Sequence, residues 1–192
     1  MKKILIAGCG GFGQEVYSYL VQDIKNGKLT DIELAGVLDD SESSYNDSGI
    51  QLPFMGSISE YVFDSTMHVI LCVGEVKTRR MLTQTLRNHK AQFYTYIHSS
   101  CHVANNVEIG ESCLIASGTA IAGTTIIGDN VSIGGQVGIT GHLKIGNNCL
   151  IGAQSLVTKS FPDNLFISGS PAKIHKDRVQ EDIALRNLPK YF

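Results

Sequence analysis

The stretch SIGGQVGITGHLKIGNNCLIG, residues 132–152, sets an isoleucine at every sixth place: Ile133, Ile139, Ile145 and Ile151. An α-helix repeats near 3.6 residues and a strand at 2, so neither explains a count of six. The count runs outward in both directions. Places 97, 103, 109, 115, 121, 127, 133, 139, 145, 151 and 157 all hold Ile or Val. Four places after each comes a mostly small or β-branched residue, such as Cys113, Thr119, Val131 or Cys149, and the place directly after is often Gly or Ala. A six-residue repeat of this texture predicts a parallel β-helix. Each hexad supplies a short strand and a turn, and three hexads close a left-handed triangular coil of eighteen residues. The aliphatic residues point inward and stack on those eighteen places away. One coil cannot bury its face alone, so stability comes from stacking. Cys101, Cys113 and Cys149 occupy the small inward place and read as core filler. The repeat is expected to end at KSFPDN (159–164), where Pro162 breaks the count.

Before this ladder the pattern is different. KKILIA (2–7) reads as a buried strand, and Val16, Leu20 and Ile24 follow at helical spacing. IELAGVLDD (32–40) and HVILCVG (68–74) read as further strands, EVKTRRMLTQTLRNHK (75–90) as a helix, and the polar SESSYNDSG (41–49) as a loop. Strand, helix and strand in alternation imply a small Rossmann-like parallel sheet with right-handed crossovers. The expected division is an α/β domain over 1–91, the β-helix over 92–175 and a C-terminal helical tail over 176–192. Val179, Ile183 and Leu188 of that tail are expected on its buried side.

The chain has 192 residues, 43% hydrophobic and 18% charged, with a formal net charge of −2. That balance gives no reason to expect a nucleic acid or an anionic membrane as partner. No apolar run approaches the roughly 18 residues of a membrane span. The short apolar run that opens the chain breaks into glycines after Ala7 and reads as a strand, not a signal peptide. Five cysteines form no CxxC pair, which argues against a disulfide framework and for a reducing, cytoplasmic setting.

GCGGFG (8–13) matches G-x-G-x-x-G between a strand and a helix. Glycines there let backbone amides approach a phosphate or ribose at a helix N-terminus, and Asp39–Asp40 end the second strand where a ribose-binding carboxylate belongs. A tight turn without ligand gives the same pattern. An α/β region of this size is small for a complete dinucleotide domain, and a nicotinamide oxidoreductase would leave the β-helix without a purpose.

A glycine-turn α/β domain, a hexapeptide β-helix and the closing SGSPAKI (168–174) together resemble the nucleotide-sugar acetyltransferases of bacterial surface-glycan biosynthesis. That group includes sialic-acid O-acetyltransferase-like proteins and UDP-4-amino-sugar N-acetyltransferases, and the resemblance spans nearly the whole chain. It implies an acetyl-CoA donor, a nucleotide-linked sugar acceptor, and a homotrimer with active sites between adjacent β-helices. It also implies that Gly10, Gly11, Phe12, Asp39, Asp40, Val73, Gly74 and Glu75 line the nucleotide-sugar site. Gly152, Lys159 and Lys173 would meet the acetyl-CoA.

Acetyl transfer from a thioester to an amine or hydroxyl needs a proton taken from the nucleophile, work that suits histidine. The family sets its base in an apolar–Glu–His–Asp/Glu segment. Here ITGHLKIG places His142 one residue later, with no flanking acid. A second register puts Asn105 of VANNVEIG at the base position, and His102 is a further alternative. His98 reads as helping to cap the prism, and His68, His89 and His175 as surface residues. His98, His102 and His142 stand 4 and 40 apart, spacings that do not bring them to one corner of an eighteen-residue coil, so no metal site is expected. The missing Glu-His-Asp segment leaves a second function open: a catalytically silent protein that binds a nucleotide sugar as scaffold or regulator.

Overall fold

The computed structural model describes residues 1–188. Strand β1 (Lys2–Ala7) is the centre of a four-stranded sheet, and Ile4, Leu5, Ile6 and Ala7 are fully buried. An unbroken apolar run is what a parallel strand covered on both sides requires. Helix α1 (Gly11–Lys25) crosses to β2 (Ile32–Leu38), and β3 (Met67–Leu71) pairs with the other side of β1. Helix α3 (Val76–Asn88) then leads to β4 (Gln92–Phe93), giving the parallel order β2-β1-β3-β4. The first sheet therefore runs past residue 91, and the change of architecture comes after Phe93.

The segment expected as a loop contains a short helix, α2 (Glu42–Ser48). It is made by its ends. The Ser41 hydroxyl accepts the Ser44 N–H, and Gly49 closes it in the left-handed conformation with φ 69°. Seven residues with no apolar stripe carry little helical signal in their periodicity.

From Ile97 to Val157 each aliphatic residue of the ladder ends a two-residue strand. Strands eighteen residues apart pair in parallel and form three faces. The first joins Ile97, Ile115, Ile133 and Ile151, the second Val103, Ile121, Ile139 and Val157, and the third Ile109, Ile127 and Ile145. Left-handed backbone recurs at the corners: Asn106, Thr124 and His142 at one, Ser112, Asn130 and Asn148 at another. Ile115, Ile133, Ile145, Ile151 and Val157 have no exposure, whereas Val103 of the first coil is 41% exposed. Among the described residues nothing stacks beneath that coil, whose strands are the edges of their sheets, so its ladder residues close the open end of the prism. Cys101 is half-buried, Cys113 and Cys149 are buried, and Cys113 Sγ lies 3.1 Å from the Gly128 carbonyl. Burial pushes the Cys113 thiol up to about 11, as befits a filler.

Pro162 does not end the ladder. One step shortens by two residues, so that Phe161 bridges Ile145 and Ile167 pairs with Ile151. Both are buried, and the prism gains a further layer before the antiparallel strand Lys173–Ile174. Helix α4 (His175–Arg186) follows. Its expected buried side is open: Val179, Ile183 and Leu188 are 40%, 53% and 61% exposed.

The α/β half docks on the first face. Tyr96 and Leu114, which point outward from that face, are buried in one cluster with Ile4, Leu20 and Ile70. Two buried charges clasp the joint. Asp23 of α1 accepts hydrogen bonds from the Tyr96 hydroxyl (2.9 Å), the Ser99 hydroxyl (2.6 Å) and the Ser99 amide (3.1 Å). Arg79 of α3 donates to the Leu71 carbonyl and, at 2.9 Å, to the Ser112 carbonyl at a β-helix corner. His98 belongs to this joint and not to a prism cap. It is 9% exposed, edge-on to Tyr19 at 4.9 Å, with Nδ1 2.8 Å from the Ser100 hydroxyl.

Candidate functional site

The strand order reverses direction between β1 and β3, the switch point at which open α/β sheets form a crevice beyond the carboxyl ends of their strands. The loops after β1, β2 and β3 meet there, bringing together Gly10, Gly11, Phe12, Asp39, Asp40, Val73 and Gly74. The four glycines of the turn divide by role. Gly8 has φ 107°, and a Cβ on Gly13 would lie 1.9 Å from the Gly8 carbonyl oxygen, so both serve the tight strand-to-helix passage. A Cβ on Gly10 or Gly11 would meet nothing within 4 Å. Gly10 begins α1 with no side-chain cap, which leaves the first amides of the helix facing the crevice. Phe12 is half-buried against the α/β core.

The carboxylates of the crevice organise its own loops. Asp39 accepts from the Cys9 amide (2.6 Å) and the Ser41 amide (2.9 Å), tying the glycine turn to the start of α2. Asp40 accepts from the Ser57 hydroxyl and from Ser59. Burial pushes the Asp40 carboxyl up, but the Ser57 and Ser59 donors outweigh it and hold it below the usual carboxylate range. Glu75 caps α3, accepting the amides of Lys77 (2.9 Å) and Thr78 (2.6 Å), and these donors hold its carboxyl low. Burial pushes the thiols of Cys9 and Cys72 to about 12, with Asp39 adding to the rise at Cys9, so neither is a nucleophile at neutral pH.

From Gly74 the crevice continues into a cleft between α3 and the first face of the β-helix. Its volume is about 570 Å³, and its lining includes Gly74, Glu75, Lys77, Arg80, Leu150 and Phe166. The sequence pattern singled out only the first two, because the other four lie on three separate stretches. At the same face His175 is half-buried and not on the surface. Its ring stacks on Phe166 at 4.0 Å and 21°, and Nδ1 lies 2.8 Å from the Ser168 hydroxyl.

The three base candidates fall elsewhere. His142 is exposed at the edge between the second and third faces, with φ 62°, and its amide donates to the Gly123 carbonyl (3.1 Å). Among the described residues no side-chain hydrogen bond orients its ring. Exposed Asn105 lies on the same edge two coils below, about 10 Å away at ~4.8 Å per strand. Exposed His102 lies on the adjoining second face, which presents small residues including Ala104, Ala120, Ala122 and Gly138 over a trough of about 490 Å³. The edge ends at Lys159, which with Lys173 lines a pocket of about 440 Å³ under α4. Lys173 is already paired with Glu181 at 2.6 Å. Gly152 does not line this pocket; it sits on the first face with Ser168 and Phe166 around it. In a triangular prism the edge between the second and third faces is opposite the first face. The structure thus separates His142 from the strand-end crevice of its own chain.

Among the described residues no three His, Cys, Asp or Glu side chains are grouped to hold a metal, and no helix is long and apolar enough to cross a membrane.

Residues 3–86 match the PglD N-terminal domain, and residues 124–159 match the bacterial transferase hexapeptide repeat. No curated protein matches the chain by sequence. Solved structures share its fold over most of its length. The acetyltransferase domain of PglB from Neisseria gonorrhoeae, in complex with acetyl coenzyme A, is 17% identical, covers 90% of this chain and 98% of its own, and superposes with a TM-score of 0.61. PerB from Caulobacter crescentus, in complex with CoA and GDP-perosamine, is 21% identical over 91% of this chain and 97% of its own, with a TM-score of 0.58. WeeI from Acinetobacter baumannii is 21% identical over 91% of this chain and 100% of its own, with a TM-score of 0.55.

Proposed function

We propose that this chain, which joins a PglD N-terminal domain to bacterial transferase hexapeptide repeats, transfers the acetyl group of acetyl-CoA to a nucleotide-linked sugar. It does so in the cytoplasm, in the biosynthesis of a bacterial surface glycan, as a homotrimer. The observation that carries the reading is the crevice with open Gly10 and Gly11 at the uncapped start of α1, continued by a cleft against the β-helix. A nucleotide phosphate suits the helix N-terminus, and the cleft leaves room for the group attached to it. The solved PerB with CoA and GDP-perosamine, and the PglB domain with acetyl coenzyme A, support the choice of donor and acceptor.

In the reaction the acceptor amine or hydroxyl attacks the thioester carbon. The new C–N or C–O bond forms, the C–S bond breaks, and the acceptor proton passes to a base and from it to the departing thiolate, so that CoA leaves as its thiol. An amine is the favoured acceptor. His142 is the base candidate, and Lys159 and Lys173 meet the donor phosphates. Because His142 lies on the edge opposite the crevice, the working site forms where the edge of one copy meets the crevice of the next. A head-to-tail contact of that kind closes into a ring, here of three.

Release of CoA thiol from acetyl-CoA, measured against UDP-, GDP- and dTDP-linked amino sugars, tests the proposal. Turnover with one acceptor is expected, falling roughly 10²- to 10⁴-fold in His142→Ala with melting temperature unchanged. A loss under threefold would retire His142 as the base. Nucleotide binding without turnover on any acceptor would overturn the enzyme reading. That outcome favours a silent nucleotide-sugar binder, for which the absence of an acid beside His142 and the exposed amide at Asn105 are the support.

A further inference from the structure

Arg79 is the least expected residue of α3. It is 3% exposed, and its guanidinium donates to two carbonyls, those of Leu71 and Ser112. Among the described residues no carboxylate forms an ion pair with it. A buried guanidinium without a counter-ion costs the fold free energy that Leu or Met in its place would not. Filling space therefore does not explain it. What a guanidinium offers is a planar fork with donors at fixed angles, which holds two acceptors on separate bodies at one spacing.

The two acceptors belong to the two halves of the molecule. Leu71 ends β3, directly before the turn over residues 72–75. The Cys72 amide donates to the Ala7 carbonyl at 2.7 Å, and Cys72 lies against the glycine turn. A Cβ on Gly8 would be 2.9 Å from the Cys72 carbonyl oxygen, and a Cβ on Gly13 3.7 Å from Cys72 Cβ. A shift of the Leu71–Cys72 backbone is therefore passed to Gly8 and to the start of α1. Ser112 sits at a β-helix corner that resists such a shift. Asn130 and Asn148 stack on it, all three left-handed. The column is laced by Asn130 Nδ2 donating to Asn148 Oδ1 (2.9 Å) and Asn148 Nδ2 donating to Asn164 Oδ1 (3.2 Å). The prism is the fixed frame, and Arg79 pins the crevice loops to it.

We propose that Arg79 is a positioning residue for the acceptor site. By bridging Leu71 and Ser112 it sets where Val73, Gly74 and the open amides at Gly10 and Gly11 stand relative to the β-helix. It thereby fixes the geometry in which a nucleotide-linked acceptor is presented, where a displacement of about 1 Å can cost up to roughly 100-fold in rate. This role rests on the acceptor reading above. It differs from the part played by Asp23, whose carboxylate joins α1 to Tyr96 and Ser99 of the first coil and not to the crevice loops. Asp23 fastens the halves, and Arg79 in addition sets the crevice. The donor lies beyond its influence, because Lys159 and the His142 edge stand opposite the first face.

Steady-state kinetics of the full-length chain, with the nucleotide-linked amino sugar and acetyl-CoA varied in turn, tests this beside melting temperatures. Arg79→Met keeps the side chain apolar and long and removes both bridges. It is expected to raise KM for the acceptor about tenfold, while KM for acetyl-CoA stays within about twofold. Arg79→Lys, which keeps the charge but not the fork, should show the same split at smaller size. Asp23→Asn is the control: it should lower the melting temperature and leave both KM values within about twofold. If the Arg79 variants melt earlier while both KM values stay at the parent level, Arg79 is a plain clasp and the proposal is overturned. It is equally overturned if kcat alone falls, which reports a smaller folded fraction, or if both KM values rise alike. If Arg79→Met fails to fold, Arg79→Lys decides by the same split. If the parent binds but does not turn over, calorimetric Kd values for UDP, GDP, dTDP and CoA take the place of KM. Gly11→Trp, which fills the open crevice, should abolish use of the acceptor and leave CoA binding in place. A Gly11→Trp form that handles the acceptor as the parent does would overturn the acceptor reading itself, and this proposal with it.

Discussion

Asp23 occupies α1 between buried Leu20 and half-buried Ile24, where a carboxylate is unexpected, yet it is only 2% exposed. Its companions are three donors from the first coil and not a cation hydrogen-bonded to it. Burial pushes its carboxyl up, but the Ser99 and Tyr96 donors outweigh burial and hold it below the usual range. A carboxyl depressed in the folded state stabilises the fold above its unfolded value near 4, and that contribution is lost as pH falls through the folded value. Asp23→Asn keeps the shape and removes the charge. It should lower stability by about 2 kcal/mol at pH 7, the scale of hydrogen bonds to a charged group. The gap between parent and variant should close as the pH is taken from 5 toward 2. Melting temperatures across that range check it, and a gap that stays constant would remove Asp23 from the acid response. At His142 the reasoning runs the other way. Neither the inward ladder nor its small partner requires a histidine there, and its exposure on a corner agrees with a role outside packing.

At the scale of elements, the passage from β1 to α1 makes a sharp prediction. Gly10→Ala and Gly13→Ala differ by three places in one motif. The first adds a methyl to open space, and the second places it 1.9 Å from a backbone oxygen. Gly10→Ala should stay within about 0.5 kcal/mol of the parent, whereas Gly13→Ala should cost about 2–3 kcal/mol through forced separation of strand and helix. Chemical denaturation of both variants checks this, and equal midpoints would contradict the packing described. The same contrast shows how much of the molecule was legible. The hexad ladder could be read because one physical demand, an aliphatic residue inward at every face, repeats in every strand. Strands β1 to β3 were visible as apolar runs. Helix α2 was not, since its stability comes from Ser41 and Gly49 and not from a stripe. The step from Val157 to Phe161 was hidden because a two-residue deletion at a proline looks like an ending. The buried side expected for α4 was read from an apolar spacing that this chain alone leaves uncovered. In the candidate site the glycine turn was legible from its motif. The cleft was not: Arg80, Leu150 and Phe166 meet only because the α/β half docks on the first face.

At the scale of the whole molecule, that docking decides where chemistry takes place. Asp23 and Arg79 fix the α/β half to one face of the prism, and the crevice opens along that face. Arg79 is 3% exposed and bonded to two carbonyls, and burial pulls its guanidinium down to about 10. The edge bearing Asn105 and His142 points the opposite way, so the proposed site, with His142 as base, needs the edge of a second copy. The direct test is complementation between two inactive forms, His142→Ala and Gly11→Trp, co-expressed and purified as mixed assemblies. Each form alone should be inactive. In randomly mixed assemblies a site works when its crevice comes from the first form and its edge from the second. Half of the crevices and half of the edges qualify, so activity should return to about a quarter of the parent value in a cyclic assembly. Mixed assemblies that stay inactive while parent assemblies turn over would contradict a site shared between copies.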